Sequence, residues 1–140
     1  MKKSQVSITA VVVAVLAGIL GSWAGGLIFQ KPSFDAMLVE AAQEINKTCP
    51  FLVDRDTRLD GTLAGPGMKF TYTYTMINYL REELDSTAFR DYMVPQIVNN
   101  VRTHPEMARF REQKVTLVYD YKDKLGNLIT SILVTPEDYE

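Results

Sequence analysis

The densest grouping of chemically capable side chains is Asp54-Arg55-Asp56-Thr57-Arg58-Leu59-Asp60. In an extended chain, side chains two apart share a face, which would align Asp54, Asp56, Arg58 and Asp60. Two or three carboxylates so placed can hold a hard cation such as Ca²⁺ or Mg²⁺ through oxygen ligands. Arginine within the group argues for Asp–Arg pairing on a solvated face instead, and no EF-hand register starts at Asp54 or Asp56. These four residues are therefore read as an interaction surface, and no metal is expected. Other chemistries have less material. His104 is the only histidine and Cys49 the only cysteine, so zinc lacks ligands and an intrachain disulfide lacks a partner. His104, between Thr103 and Pro105, suits a helix cap better than a general base. Cys49, beside Pro50-Phe51-Leu52-Val53, suits burial. Gly61, Gly65 and Gly67 match no phosphate-binding spacing. No catalytic constellation and no cofactor are expected.

The elements that must carry these residues can be read from periodicity. Ser33 is placed to cap a helix in which Phe34, Met37, Leu38, Ala41 and Ile45 form one apolar stripe. Pro50 ends that helix near Thr48. Phe51 to Leu63 reads as one extended run and Ala64-Gly65-Pro66-Gly67 as a turn. Lys69 to Met76 then alternates threonine with aromatic residues or Met, the clearest strand in the chain. A second helix, Thr87 to Arg102, is capped by Asp85 or Ser86, faces Phe89, Tyr92, Met93, Ile97 and Val101 inward, and should kink or break at Pro95. A short helical turn starts at Pro105 and runs through Phe110. Val115–Tyr121 and Leu128–Val134 form a hairpin across Lys124-Leu125-Gly126-Asn127. The order α-β-β-α-β-β predicts an α+β fold with a four-stranded antiparallel sheet packed on helices. Phe70, Tyr72, Tyr74 and Met76 share one strand face, and Tyr119 and Tyr121 share another with Val115 and Leu117. The plain reading is that both rows form the core; the sharper one is an aromatic surface for a peptide or glycan.

The chain has two parts. Val6 to Phe29 holds no charged residue, long enough for the roughly 20 residues a membrane-crossing helix needs. Lys2 and Lys3 precede it, so the positive-inside rule keeps the N-terminus in the cytoplasm and exports the rest of the chain. Residues 1–32 are thus expected to be a cytoplasmic N-terminus and transmembrane anchor, and residues 33–140 a single exported domain. The rival reading is a cleaved signal, with Ser22-Trp23-Ala24 as the small-x-small cleavage site. Ala10, Ala14, Gly18, Ser22 and Gly26 recur every four residues, a face on which another helix can pack closely. This predicts a protein partner or homo-oligomer through the membrane helix. Without Lys2 and Lys3, 13 Lys and Arg remain against 17 Asp and Glu, a balance that disfavours nucleic acid.

Asn46-Lys47-Thr48-Cys49-Pro50, Val53-Asp54, Thr57-Arg58-Leu59-Asp60 and Phe70-Thr71-Tyr72-Thr73-Tyr74 together resemble a group of uncharacterised small bacterial domains. That group carries an Asn-Lys-x-x-Pro, Val-Asp and Thr-Arg-Leu-Asp pattern, and the resemblance spans Asp35 to Tyr139. It implies a fold and no activity. Asn46-Lys47-Thr48 also matches the N-glycosylation sequon, a chance match in a chain of bacterial style. The expected function is a non-enzymatic, membrane-anchored extracytoplasmic interaction domain, a small accessory subunit of a bacterial envelope complex in the inner membrane. The alternative is a secreted or periplasmic module that binds a small ligand or peptide. A third class is a hydrolase built on the Asp54–Asp60 carboxylates.

Overall fold

The computed structural model describes residues 33–140. Helix α1 (Phe34–Asn46) starts where expected, with the Ser33 hydroxyl accepting the Ala36 N–H at 3.2 Å. Its stripe buries Leu38, Ala41, Ala42 and Ile45, each large aliphatic side chain worth about 1.5–3 kcal/mol when taken out of water. The extended run expected from Phe51 to Leu63 divides in two: β1 (Phe51–Leu52) and β2 (Thr57–Gly65). The break is local chemistry. One Asp54 oxygen accepts the backbone N–H groups of Asp56 at 2.8 Å and Thr57 at 2.9 Å, folding the chain back on itself. Strand β3 (Lys69–Met76) comes next. Helix α2 (Ser86–Thr103) is capped by Asp85 and continues through Pro95, so the break allowed for there does not occur. Short helix α3 (Ala108–Glu112), strands β4 (Thr116–Lys122) and β5 (Leu128–Val134) and a final turn α4 (Pro136–Tyr139) complete the domain.

The sheet corrects the sequence reading on two counts. It has five strands rather than four, in the order β1-β2-β3-β4-β5, and it is mixed rather than antiparallel: β3 and β4 run parallel. The physical reason is the connection between the two hairpins. The 18 residues of α2 climb about 27 Å at 1.5 Å per residue, and the eight residues of β3 span about the same at 3.4 Å each. The helix therefore carries the chain back to the end where β3 began, and β4 must set off in the same direction. The transmembrane part of the expectation finds no support: among the described residues no helix is long and apolar enough to cross a membrane. The run Val6–Phe29 and its face Ala10, Ala14, Gly18, Ser22 and Gly26 lie outside the described residues.

The core lies between the sheet and the helices. Tyr72 stacks on Tyr119 with ring centroids 5.1 Å apart, Tyr74 stacks on Tyr121 at 5.0 Å, and Phe89 of α2 meets Tyr121 edge-on. All four tyrosines are buried, so these rows form the core and not a wet aromatic surface.

Candidate interaction surface

The face of the sheet opposite the tyrosines is built from the alternate residues of each strand. The pairings align Leu63, Thr71, Val118 and Leu133 as one rung across β2, β3, β4 and β5. Leu63 and Leu133 are 68% and 54% exposed, while Val118 between them is nearly covered and stands apart from the core cluster. A second rung holds Gly61, Thr73, Asp120 and Ser131, with the Ser131 hydroxyl donating to Asp120 at 2.5 Å. A third holds Leu52, Arg58, Thr75, Lys122 and Leu128. The outer face thus grades from an apolar rung to a charged one.

The acidic run is split between this face and the loop that leads to it. Asp54 and Asp56 are not on a strand. Asp54 closes the β1–β2 turn, with its second oxygen buried and unbonded among the described residues. Asp56 is buried and accepts the Asn78 side-chain amide at 2.8 Å. Arg58 and Asp60 do lie on β2 and pair, Nε to Oδ1 at 2.6 Å, while Thr75 donates to the other Asp60 oxygen at 2.5 Å. Partly exposed, this pair is worth at most about 1 kcal/mol. The four residues expected to share one strand face therefore do two jobs: two shape a turn, and two decorate the sheet. Among the described residues no group of three or more His, Cys, Asp or Glu could hold a metal ion.

Of the remaining chemically capable groups His104 is engaged, while Cys49 and the Tyr72 and Tyr74 hydroxyls are withdrawn by burial, the two hydroxyls without a hydrogen-bond partner among the described residues. His104 Nδ1 accepts the Glu106 N–H at 3.2 Å and its carbonyl accepts from Arg111, the cap expected from Thr103-His104-Pro105. Burial, with the charge of Asp60 adding to it, pushes the half-buried Cys49 thiol up, away from the thiolate a nucleophile needs. Burial likewise drives the Tyr72 and Tyr74 hydroxyls far above the ordinary tyrosine value, with their stacked partners adding to the effect.

Two residues to which the sequence reading gave no structural role control the rim of the surface. Asn46, at the end of α1, donates its amide to the Thr62 carbonyl at 2.9 Å and accepts the Thr62 N–H at 2.7 Å. It thereby occupies the outward backbone groups of Thr62, beyond the end of the short β1. Gly61 makes room for it, since a Cβ there would lie 3.3 Å from the Asn46 oxygen. Asp123 gathers the N–H groups of Leu125, Asn127 and Arg81 at 2.8–2.9 Å, locking the β4–β5 turn to the segment before α2. Its burial opposes ionisation, yet these three N–H groups hold its carboxyl below the usual carboxylate range. An aspartate opening a Lys-Leu-Gly-Asn turn is the signal that could have found it.

Solved structures of other bacterial proteins share this architecture. A Pseudomonas aeruginosa protein provisionally described as secreted matches with a TM-score of 0.60 at 13% identity, covering 79% of this chain and all of its own. The pilotin EpsS of the Vibrio vulnificus type 2 secretion system matches with a TM-score of 0.60 at 9% identity, covering 76% of this chain and 91% of its own. The type II secretion system pilotin AspS of Vibrio cholerae matches with a TM-score of 0.54 at 12% identity, over 74% and 90%. At such identities the likeness is one of fold. Comparison with curated proteins gives no match. A family profile matches residues 33–129, and on that match the chain belongs to the family described as a domain of unknown function, DUF8479.

Proposed function

We propose that this chain is a non-catalytic accessory protein of the bacterial envelope, whose domain works outside the cytoplasm by docking a protein partner of a larger assembly. The observation that carries the reading is the fold, shared along about three quarters of the chain with two pilotins of type II secretion systems. The chemistry of the domain agrees with it. The Cys49 thiol is pushed away from reactivity, His104 serves as a cap, and the Arg58–Asp60 pair and the Asp54 turn use the carboxylates structurally. Export is assigned to the uncharged run Val6–Phe29 behind Lys2 and Lys3.

Purification of the full chain from solubilised envelopes tests this. The expected result is a defined protein partner at fixed ratio, with a reporter fused after Glu140 active only outside the cytoplasm. Recovery of the chain alone, or from the cytosolic fraction, contradicts it.

A further inference from the structure

The sheet ends in two very different strands. Strand β1 has two residues, and beyond its end Asn46 takes both backbone groups of Thr62 on β2. Strand β5 is seven residues long and reads Leu-Ile-Thr-Ser-Ile-Leu-Val, with no charge and no proline. Short length, charges, proline and bulges are the usual means of blunting a sheet edge; β5 has only a bulge, at Ile129 near its start, and runs on from Thr130 to Val134 without another. Its outward backbone groups can be assigned. The Thr116 N–H bonds to the Met68 carbonyl at 2.8 Å, so Thr116, Val118 and Asp120 turn their backbone toward β3 and the residues between them toward β5. Ser131 and Leu133, opposite Asp120 and Val118, therefore turn theirs away from the sheet. The Ser131 carbonyl is met there by the exposed Arg90 of α2, Nη1 to O at 3.0 Å. Among the described residues that guanidinium has no carboxylate within salt-bridge distance.

We infer that β5 is a strand-addition site: the envelope partner lays one extended segment along Leu128–Val134 and sets a carboxylate on Arg90. This rests on the accessory-protein reading above and names the partner's chemistry. Main-chain hydrogen bonds to Ser131 and Leu133 supply the attachment, and alternate side chains supply the selectivity. On the outer face, an apolar side chain beside Leu133 lengthens the rung of Leu63, Thr71, Val118 and Leu133 by one position. On the helix face, an Asp or Glu exchanges with the Ser131 carbonyl as the Arg90 acceptor. A second copy of this chain fits less well, because pairing β5 with itself about Ser131 brings two Arg90 guanidinium groups together.

The test uses the full chain in cells, with a diazirine-bearing leucine analogue in place of Leu133 in one strain and of Leu63 in another. The site predicts crosslinks from position 133 to one contiguous segment of another protein that carries Asp or Glu. Position 63 should give none. Arg90→Glu should lower the yield about tenfold, the size expected when a close interfacial charge pair becomes a like-charge contact. Arg90→Gln, which keeps a donor for Ser131, should lower it less, and both variants should melt like the parent. Crosslinks from position 133 to a second copy of this chain, or a yield indifferent to Arg90→Glu, overturn the proposal. Crosslinks to a partner protein from position 63 alone also overturn it while leaving the accessory-protein reading standing. Silence at both positions overturns the strand-addition site, while the accessory-protein reading is tested by the envelope purification above.

Discussion

Along β2 the sheet's outward backbone is met by two residues of β1 and, at Thr62, by the Asn46 side chain. Along β5 it ends in seven uncharged residues whose outward groups meet only the tip of Arg90 among the described residues. Both strands carry an exposed leucine on the outer face, Leu63 and Leu133, so hydrophobicity does not separate them. Hydrogen-bond occupancy does. A sealed edge contributes to stability and offers a partner nothing. An open edge contributes little to stability and offers a row of donors and acceptors. The two edges should therefore respond to substitution in opposite ways.

The largest stability effect is expected at the sealed edge. Asn46→Ala strands the N–H and C=O of buried Thr62, at about 1–3 kcal/mol for each buried group left unpaired. Chemical denaturation should show a loss of about 2–6 kcal/mol for the pair. A loss under about 0.5 kcal/mol, the range of an ordinary surface change, would mean that Asn46 seals nothing. Next comes Asp54→Ala, which removes the acceptor for two turn N–H groups and should cost about 1–2 kcal/mol while loosening β1 from β2. Its effect should be confined to that edge, with amide shifts in β5 unchanged.

Asp123 gives a pH-dependent version of the comparison, since it anchors the turn that leads into β5. Its folded carboxyl titrates below the usual value. Its contribution is therefore fully present above the unfolded value of about 3.9 and is lost as pH falls through the lower folded value. Melting temperature should drop on acidification below about pH 4, and Asp123→Asn should flatten that limb. An unchanged acid limb in Asp123→Asn would mean that Asp123 does not anchor the turn. The smallest stability effect belongs to the open edge. Leu133→Lys lies on an exposed position and should change stability by no more than about 0.5 kcal/mol, yet it should cut partner recovery sharply. A large loss of stability there would show that β5 is supporting the fold and not waiting for a strand.

The local elements were legible because short-range chemistry dictates them. Ser33 before an apolar stripe, the Thr and Tyr alternation of β3, and the two glycine-bearing turns each appear in the structure. The uncharacterised family was legible at the level of a small domain over residues 33–129. The parallel joint was not, because it depends on the length of α2 relative to β3 and not on any residue at the joint. The acidic run misled because strand alternation was extended through Asp54, whose side chain captures its own backbone and ends the strand. Asn46 was hidden because its partner, Thr62, is sixteen residues away. The sequence of β5 announced a strand, but its position at an edge depends on a strand order that no local pattern encodes.

Hydrogen exchange at single amides tests the difference between the edges most directly. The Thr62 amide, held by Asn46, should exchange only by the deepest opening of the domain. The outward amides of Ser131 and Leu133 should exchange orders of magnitude faster in the free protein and slow when the partner is present. Protection at Leu133 equal to that at Thr62 in the free protein, or rapid exchange at Thr62, would contradict a sealed edge and an open one.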